Sequence, residues 1–221
     1  MKARVVIAAR GGPDAKGRCA GALPGEARAA LVSAMLADML GALGKVPELG
    51  PPLLVTPTEE LGLLAGQHGA CVLREAAAQG LAAAFRRGQQ EIARSDPHTL
   101  AILLPGDLPL LDPVELSAAV EQVQAGEVGI VAAAADGGTG AILIEAGHPF
   151  AFSYGEGSCD RHVAAAGLVG LRSRLVSAPS LAFDLDRPTD LATLDGLAEG
   201  QRAPQTRRWL AAHRPIEVSP R

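Results

Sequence analysis

Short apolar runs alternate with helical patterns along most of this chain, and the alternation leaves few folds open. The helical segments begin near residues 24, 58, 80, 112, 158 and 189, between most of the apolar runs. The apolar runs predict strands over 4–9, 53–55, 71–73, 99–104, 128–134, 141–144 and 174–176. Parallel neighbours in a sheet need a crossover between them, which is usually a helix. We therefore expect an α/β fold with a mostly parallel sheet and helices on both faces.

Carboxylates follow two of these apolar runs. Asp107 comes after the continuous run Thr99–Leu104, which is typical of a buried strand. Asp184 and Asp186 close the run Ser180–Phe183, and alternate residues of a strand point the same way, so their carboxylates should lie side by side. Three carboxylates at strand ends can hold a hard divalent cation. The alternative is that Asp184 and Asp186 cap the next helix, but two separate clusters favour a metal site.

The loop after the first predicted strand combines glycines with positive charge. Gly11 and Gly12 allow the backbone to fold closely round an anion, and Arg10, Lys16 and Arg18 supply the charge. A glycine-containing loop at this point of a nucleotide-binding sheet commonly holds a triphosphate, although the loop lacks the Walker pattern. An exposed, flexible basic loop is the alternative interpretation.

Two later loops also bring small and polar residues together. Asp136–Gly140 is typical of a hairpin turn, but its glycines would also let backbone amides and the Thr139 hydroxyl approach an anion. Tyr154–His162 joins a glycine-rich loop to a predicted helix that begins at Ser158. A helix start capped by Ser158 would leave free amides for an anionic ligand. Ordinary capping would explain Ser158 equally well, and His162 on a helix is more often structural than catalytic.

Composition limits the partners and the compartment. The chain has 221 residues, 48% of them hydrophobic, which is enough for one domain over 1–198, and a Pro- and Arg-rich tail over 199–221 with one short helix at 205–213. A net charge of -4 gives no reason to expect nucleic acid, and no apolar run approaches a membrane span. The three cysteines are far apart and fit a reducing compartment, so we expect a cytoplasmic protein.

Taken together and in this order, the motifs resemble the family of 2-phospho-L-lactate guanylyltransferases. The resemblance runs from the first strand to about Leu197 and implies a single-domain, nucleotide-sugar-transferase-like fold of the Rossmann-like, GT-A type. The residues that carry it are Ala15–Arg18, Leu104–Leu110, Asp136–Thr139, Tyr154 and Gly155 with Ser158 and His162, and Leu181–Leu191. The pair formed by Asp136–Thr139 and the Gly-x-x-Ser-x-x-x-His segment is the narrowest of these signals.

The resemblance implies a transfer of GMP from GTP to the phosphate of a small phosphorylated acid, with release of pyrophosphate. The acid would be 2-phospho-L-lactate or phosphoenolpyruvate, and the product would lead to a deazaflavin coenzyme. The implied cofactor is Mg²⁺, held by Asp107, Asp184 and Asp186, which with Lys16 form the catalytic set. The implied substrate-binding residues are Arg10, Gly11, Gly12, Arg18, Thr139, Gly155 and Ser158. A homodimer is one candidate for the assembly.

This chain departs from the family pattern at several positions. Arg10 stands where the family usually has Lys, and Gly17 and Cys19 replace Ser and Leu. Ala82 stands in place of an Asn, so we expect weaker discrimination between bases, and Gly140 in place of Asn predicts a changed acceptor pocket. Two alternatives therefore stay open. One is a molybdopterin or sugar-nucleotide nucleotidyltransferase of the same fold, and the other is a non-catalytic nucleotide-binding homologue.

Overall fold

A computed structural model of the chain describes residues 2–46, 48–197 and 202–213. In these parts of the chain the strands are β1 (Ala3–Ala8), β2 (Leu49–Thr56), β3 (Cys71–Arg74), β4 (Leu100–Pro105), β5 (Glu127–Ala132), β6 (Thr139–Glu145) and β7 (Arg172–Leu175). They form a seven-stranded sheet in the order β3-β2-β1-β4-β6-β5-β7. The helices are α1 (Gly25–Leu43), α2 (Glu59–Gln67), α3 (Leu81–Ser95), α4 (Pro113–Gln122), α5 (Ser158–Leu168), α6 (Pro179–Ala182), α7 (Pro188–Gly196) and α8 (Pro204–Ala212).

Most strand pairs are parallel, as the sequence predicted. β1 pairs in parallel with β2 and β4, β2 with β3, and β5 with β7, whereas β6 runs antiparallel to both of its neighbours. Because β6 runs the opposite way, its first residue, Thr139, lies at the edge of the sheet where β4 and β5 end. Ligands of open α/β sheets bind at this carboxyl edge, so the reversed strand adds its own start to the site.

The two faces of the sheet are covered by separate hydrophobic cores. Val5 and Ile7 point into a core with residues of α1, α2, α4, α7 and α8, while Val6 and Ala8 point into one with residues of α3 and α5. The alternation follows from the two-residue period of a strand. Gly88 lets α3 lie close to β1, because a Cβ at this position would be 2.3 Å from Cγ1 of Val6. The prediction of helices on both faces is confirmed.

The run Ser180–Phe183 is not a strand, which corrects the sequence prediction. Pro179–Ala182 forms one short helix, and the following residues are extended but pair with no strand in the described part of the chain. A short apolar run does not distinguish helix from strand, and Pro179 fits the first helical position. Leu185 is nevertheless buried while Asp184 and Asp186 are only half-buried, so the two carboxylates still share a side.

Other local predictions had mixed outcomes. The Asp112 carboxylate accepts hydrogen bonds from the backbone N–H groups of Val114 and Glu115, and Pro113 occupies the first turn of α4, so this helix begins where the sequence predicted. Thr58 precedes α2, but its hydroxyl accepts a hydrogen bond from the N–H of Gly11 instead of capping the helix. That bond ties the first loop to α2.

The predicted helix in the tail is present as α8, and it packs against α1. The buried Asp38 carboxylate of α1 accepts hydrogen bonds from the N–H groups of Gln205 and Thr206 and from the Thr206 hydroxyl. Trp209 and Leu210 are buried in the core of that face. The remainder of the tail, 198–201 and 214–221, lies outside the described residues. None of the described helices is long and apolar enough to cross a membrane.

Candidate active site

Three adjoining cavities lie at the carboxyl edge of the sheet. The central cavity, about 480 Å³, lies between the first loop and Asp107. The β2 cavity, about 320 Å³, shares Arg10 with the central cavity, and the β6 cavity, about 210 Å³, shares Arg18, Asp107 and Asp186 with it. Leu81, the first residue of α3, borders both outer cavities. Charged residues therefore stand at both boundaries of the central cavity.

Lys16 is the most constrained residue of this site. Its backbone is left-handed, with φ 51° and ψ 48°, which is uncommon and costly for a residue other than glycine. Its side chain is only 7% exposed, and Nζ lies 2.6 Å from Oδ2 of Asp107 and 3.4 Å from Oδ1 of Asp186. Burial acts to lower the pKa of Lys16, but the two carboxylates outweigh it and raise the pKa above its usual value. Lys16 is thus a fixed cation between the two carboxylate clusters.

The structure brings the three predicted carboxylates to this one place. Asp186 pairs with both Lys16 and Arg18. Burial, followed by the neighbouring Asp107 carboxylate, raises the pKa of Asp184. The helix-cap alternative is wrong for these carboxylates, because it is the Asp190 side chain that accepts from the N–H groups of Asp186 and Arg187 at the start of α7. Asp190 therefore holds the backbone of the carboxylate segment.

The donor set suits a hard cation, although the described residues do not hold a ready-made cluster of three metal ligands. Lys16 neutralises one oxygen of Asp107, whereas Oδ1 is buried and has no hydrogen-bond partner among the described residues. The mutual repulsion of Asp107 and Asp184 would be relieved by a cation between them. Carboxylate oxygens are the ligands that Mg²⁺ prefers. The residues present therefore fit a magnesium ion.

The β6 cavity contains a hydrogen-bonded group centred on Thr139. The N–H of Ser153 donates to Nε2 of His162, so a neutral ring carries its proton on Nδ1 and donates it to Oγ1 of Thr139, 2.9 Å away. The Ser158 hydroxyl donates to the same Oγ1 at 3.0 Å. Burial, with a smaller contribution from Arg161, lowers the pKa of His162 to about 4, which keeps the ring neutral. Thr139 accepts two hydrogen bonds, so its own proton is available to a ligand in the cavity.

Ser158 lies in the predicted place but does not cap α5. Gly157 is the residue before the helix, in the left-handed conformation with φ 65°, and no side chain caps this end. The Ser158 side chain is fully buried and committed to Thr139. Gly155, with φ 113°, also borders the β6 cavity in a conformation that favours glycine. The cap prediction was wrong because the loop uses glycine geometry, while the predicted residues do meet at one cavity.

Gly140 fills a position that admits no side chain. A Cβ there would lie 2.0 Å from the backbone oxygen of Leu181. β6 and the short helix α6 therefore approach more closely than any other residue would allow. Gly140 also borders the β6 cavity. A changed acceptor pocket, expected from Gly in place of Asn, stays a prediction.

The first loop contributes cations to the cavities, but not the two glycines. Arg10 borders the central and β2 cavities, and Arg18 borders the central and β6 cavities. Gly11 and Gly12 border none of these three cavities, and the N–H of Gly11 already donates to Thr58. A role for either glycine in binding the nucleotide stays a prediction.

Sequence reasoning missed one residue of the outer cavities, Glu75, and named a second, Tyr154, without giving it a role. Glu75, buried in the wall of the β2 cavity, directly follows β3, so an acid at the carboxyl end of a strand was the available signal. Tyr154, whose hydroxyl is buried without a hydrogen-bond partner among the described residues, borders the β6 cavity. Ala82, expected to affect the choice of base, is not among the residues that border the β2 cavity. An effect of this position on base choice stays a prediction.

This sheet is the fold of several solved nucleotidyltransferases. The solved structure of 4-diphosphocytidyl-2C-methyl-D-erythritol synthase shares the fold, with a TM-score of 0.61 at 16% identity over 90% of this chain and 100% of that one. The chain belongs to the family described as "Guanylyl transferase CofC like", whose family model matches residues 3–219. It is a guanylyltransferase-type enzyme, and the predicted family is confirmed.

Two curated relatives are similar to this chain in sequence over most of their length. A "3-phospho-D-glycerate guanylyltransferase" of Phenylobacterium zucineum is 45% identical over 85% of this chain and 87% of that protein. A "Phosphoenolpyruvate guanylyltransferase" of Conexibacter woesei is 35% identical over 85% of each chain. The relatives agree on the transferred group and differ in the acid that receives it.

Proposed function

We propose that this enzyme transfers GMP from GTP to the phosphate of a small phosphorylated carboxylic acid and releases pyrophosphate. The first candidate for the acid is 3-phospho-D-glycerate, because the relative of that name is 45% identical to this chain. Phosphoenolpyruvate is the second candidate, on the strength of several relatives at 32–35% identity. 2-Phospho-L-lactate, implied by the family resemblance, is the third. The observation that carries the proposal is the position of Lys16, Asp107 and Asp186 between two further cavities.

The reaction needs alignment and charge neutralisation more than acid–base chemistry. A phosphate oxygen of the acid attacks the α-phosphorus of GTP, a new P–O bond forms, and the bond to the departing pyrophosphate breaks. The acceptor phosphate is already anionic, so no strong base is required. Arg10, Lys16 and Arg18 border the central cavity, where they would bind the triphosphate and offset its charge. Lys16 needs no reorganisation, because the Asp107 and Asp186 carboxylates already fix its ammonium.

Mg²⁺ completes the proposed site. Asp107, Asp184 and Asp186 would hold the ion, and the ion would neutralise the phosphate oxygens. Asp107 can serve both cations, because Lys16 occupies only its Oδ2. Asp186 would first have to release the exposed guanidinium of Arg18, which then becomes free to bind phosphate.

The β6 cavity is the proposed acceptor site. Thr139 would donate its hydroxyl proton to the phosphate or carboxylate of the acid, with Ser158 and His162 holding that hydroxyl in place. Gly155 would bring the backbone close to the same anion. The product joins GMP to the acid through a phosphoanhydride, an activated form suited to a later transfer. We place that step in the synthesis of a deazaflavin coenzyme in the cytoplasm, with a homodimer as the candidate assembly.

The test is pyrophosphate release from GTP and MgCl₂ with each of the three acids in turn. We expect kcat/KM to be highest with 3-phospho-D-glycerate, and mass spectrometry should find GMP joined to the acid. Thr139→Val should raise KM for the acid more than KM for GTP, whereas Thr139→Ser keeps the hydroxyl and should restore most of the affinity. The absence of acid-dependent pyrophosphate release with all three acids would refute the proposed function.

A further inference from the structure

The β2 cavity is apolar except for one cation and one buried acid. Its walls come mainly from the ends of β1 and β2 and from the segment that leads into α3. Arg10 lies on the side shared with the central cavity, and Glu75 is the acid. The remaining lining residues are small or aliphatic, such as Val55, Ala78 and Leu81. An apolar cavity with few polar groups is typical of a site for a flat heterocycle.

Glu75 lies in a loop, but its side chain is buried, which is unusual for an acid. Its side chain is only 4% exposed, and Oε1 is buried with no hydrogen-bond partner in the described parts of the chain. The nearest cation, Nη1 of Arg87, is 3.7 Å from Oε1, beyond hydrogen-bond distance. The backbone N–H of Glu75 donates to the oxygen of Thr56, which continues the pairing of β3 with β2. Its backbone is therefore fixed while its carboxylate keeps unused capacity.

A buried carboxylate has a definite preference among the bases. It can only accept hydrogen bonds, and it can accept two in parallel from a planar partner. Guanine presents two adjacent donors, N1–H and the 2-amino group, on one edge. Adenine presents a ring-nitrogen acceptor at the same place, which a carboxylate would repel. Hypoxanthine keeps N1–H but lacks the 2-amino group, and xanthine has an oxygen there.

We propose that Glu75 selects guanine by accepting hydrogen bonds from N1–H and the 2-amino group of the base in the β2 cavity. The inference rests on the proposed function, because the triphosphate must lie in the central cavity for the base to reach the β2 cavity. Arg87 neutralises part of the charge on Glu75 without using its hydrogen-bonding capacity. Base choice in this chain thus depends on the acid after β3, not on the position of Ala82.

The experiment compares kcat/KM for GTP, ITP, XTP and ATP with saturating acid and MgCl₂. The wild-type enzyme should prefer GTP over ITP by about 10- to 100-fold, because ITP leaves one acceptor of a buried carboxylate unpaired. Glu75→Ala should reduce that preference to a few-fold. Glu75→Gln should raise the ratio of XTP to GTP by about 10-fold or more, because the new amide can donate to the xanthine oxygen. Glu60→Gln, at an exposed acid of α2, is the matched control and should keep the wild-type preferences.

The outcomes separate this inference from the proposed function. Turnover with GTP and an unchanged GTP/ITP/XTP pattern in both Glu75 variants would overturn the role of Glu75 and leave the guanylyltransferase proposal standing. If kcat/KM falls equally for all four bases, and the preference for GTP over 2′-deoxy-GTP changes, Glu75 contacts the ribose. That result would also overturn the inference. If Glu75→Ala fails to fold, the near-isosteric Glu75→Gln decides alone. An increase in its ratio of kcat/KM for XTP to kcat/KM for GTP then supports the proposal, and an unchanged ratio refutes it.

Discussion

Asp184 illustrates how a site residue can oppose the stability of its own fold. Burial and the Asp107 carboxylate raise its pKa, so its charge is unfavourable in the folded state at neutral pH. Asp184→Asn should therefore raise the free energy of unfolding at pH 7 by up to about 1 kcal/mol, a value limited by solvent screening. The same change should reduce kcat/KM at least 100-fold, because a neutral amide is a poor partner for Mg²⁺. Urea unfolding and steady-state kinetics measure the two effects.

The pH dependence provides the check on this prediction. A group whose folded pKa is raised destabilises the protein above that pKa, and the penalty disappears as the pH falls through it. The gain in Asp184→Asn should therefore shrink as the pH is lowered from 7 towards 4. Asp195→Asn, at an exposed position of α7, should change neither stability nor activity. A variant of Asp184 that is fully active would return this residue to a purely structural role.

Lys16 should behave in the opposite way. Lys16→Met leaves the Asp107 and Asp186 carboxylates facing each other without their cation, so we expect a loss of about 2–4 kcal/mol of stability as well as nearly all activity. Lys16→Arg keeps the charge and should recover most of the stability, but not the rate, because the planar guanidinium cannot take the same place. Thermal melts and pyrophosphate assays distinguish these outcomes. Equal stability of the Met variant and the wild type would contradict the role of Lys16 as the cation between the carboxylates.

At the scale of elements, the buried His162 of α5 should make the acceptor site sensitive to acid. The pKa of His162 is lowered to about 4, from an ordinary value of 6.5, mainly by burial. The unfolded chain therefore binds the proton first, and stability that is complete above pH 6.5 is lost as the pH falls towards 4. The loss should reach at most about 3 kcal/mol. Urea unfolding between pH 4.5 and 7 measures this effect: the free energy of unfolding should depend less on pH in His162→Gln than in the wild type. In His68→Gln, at an exposed position, it should depend on pH as in the wild type.

The elements also show where sequence reasoning succeeds and where it stops. The buried run before Asp107 was predictable, because a continuous apolar stretch at a strand length has one common interpretation. The direction of β6 was not, because alternation of side chains is the same in parallel and antiparallel strands. The segment before Asp184 fitted a strand in the sequence, because three consecutive apolar residues are compatible with either structure. Glu75 had only the weak signal of an acid directly after a strand, and its place in the wall of the β2 cavity became visible only in the structure.

At the scale of the whole molecule, the C-terminal helix should add stability without affecting catalysis. Asp38→Ala removes the carboxylate that holds the start of α8, so we expect a loss of about 2 kcal/mol and a shift of Trp209 fluorescence to longer wavelength. Trp209 is the one tryptophan of the chain, so the signal reports on α8 directly. kcat/KM at 25 °C should stay unchanged, because α8 borders none of the three cavities of the site. Glu26→Ala, at an exposed position of α1, is the control.

The reversed strand β6 also has a consequence for how this enzyme can diversify. The central and β2 cavities rest on β1–β4, all of one direction, whereas the β6 cavity is completed by the chain from 133 to 158. On the proposed function, the nucleotide and its acid are thus recognised by largely separate stretches of sequence, which share Arg18, Asp107 and Asp186. Substitutions in 133–158 can exchange one three-carbon acid for another while the recognition of GTP is inherited intact. On the same proposal, one guanylyl-donor platform can serve several acceptor acids.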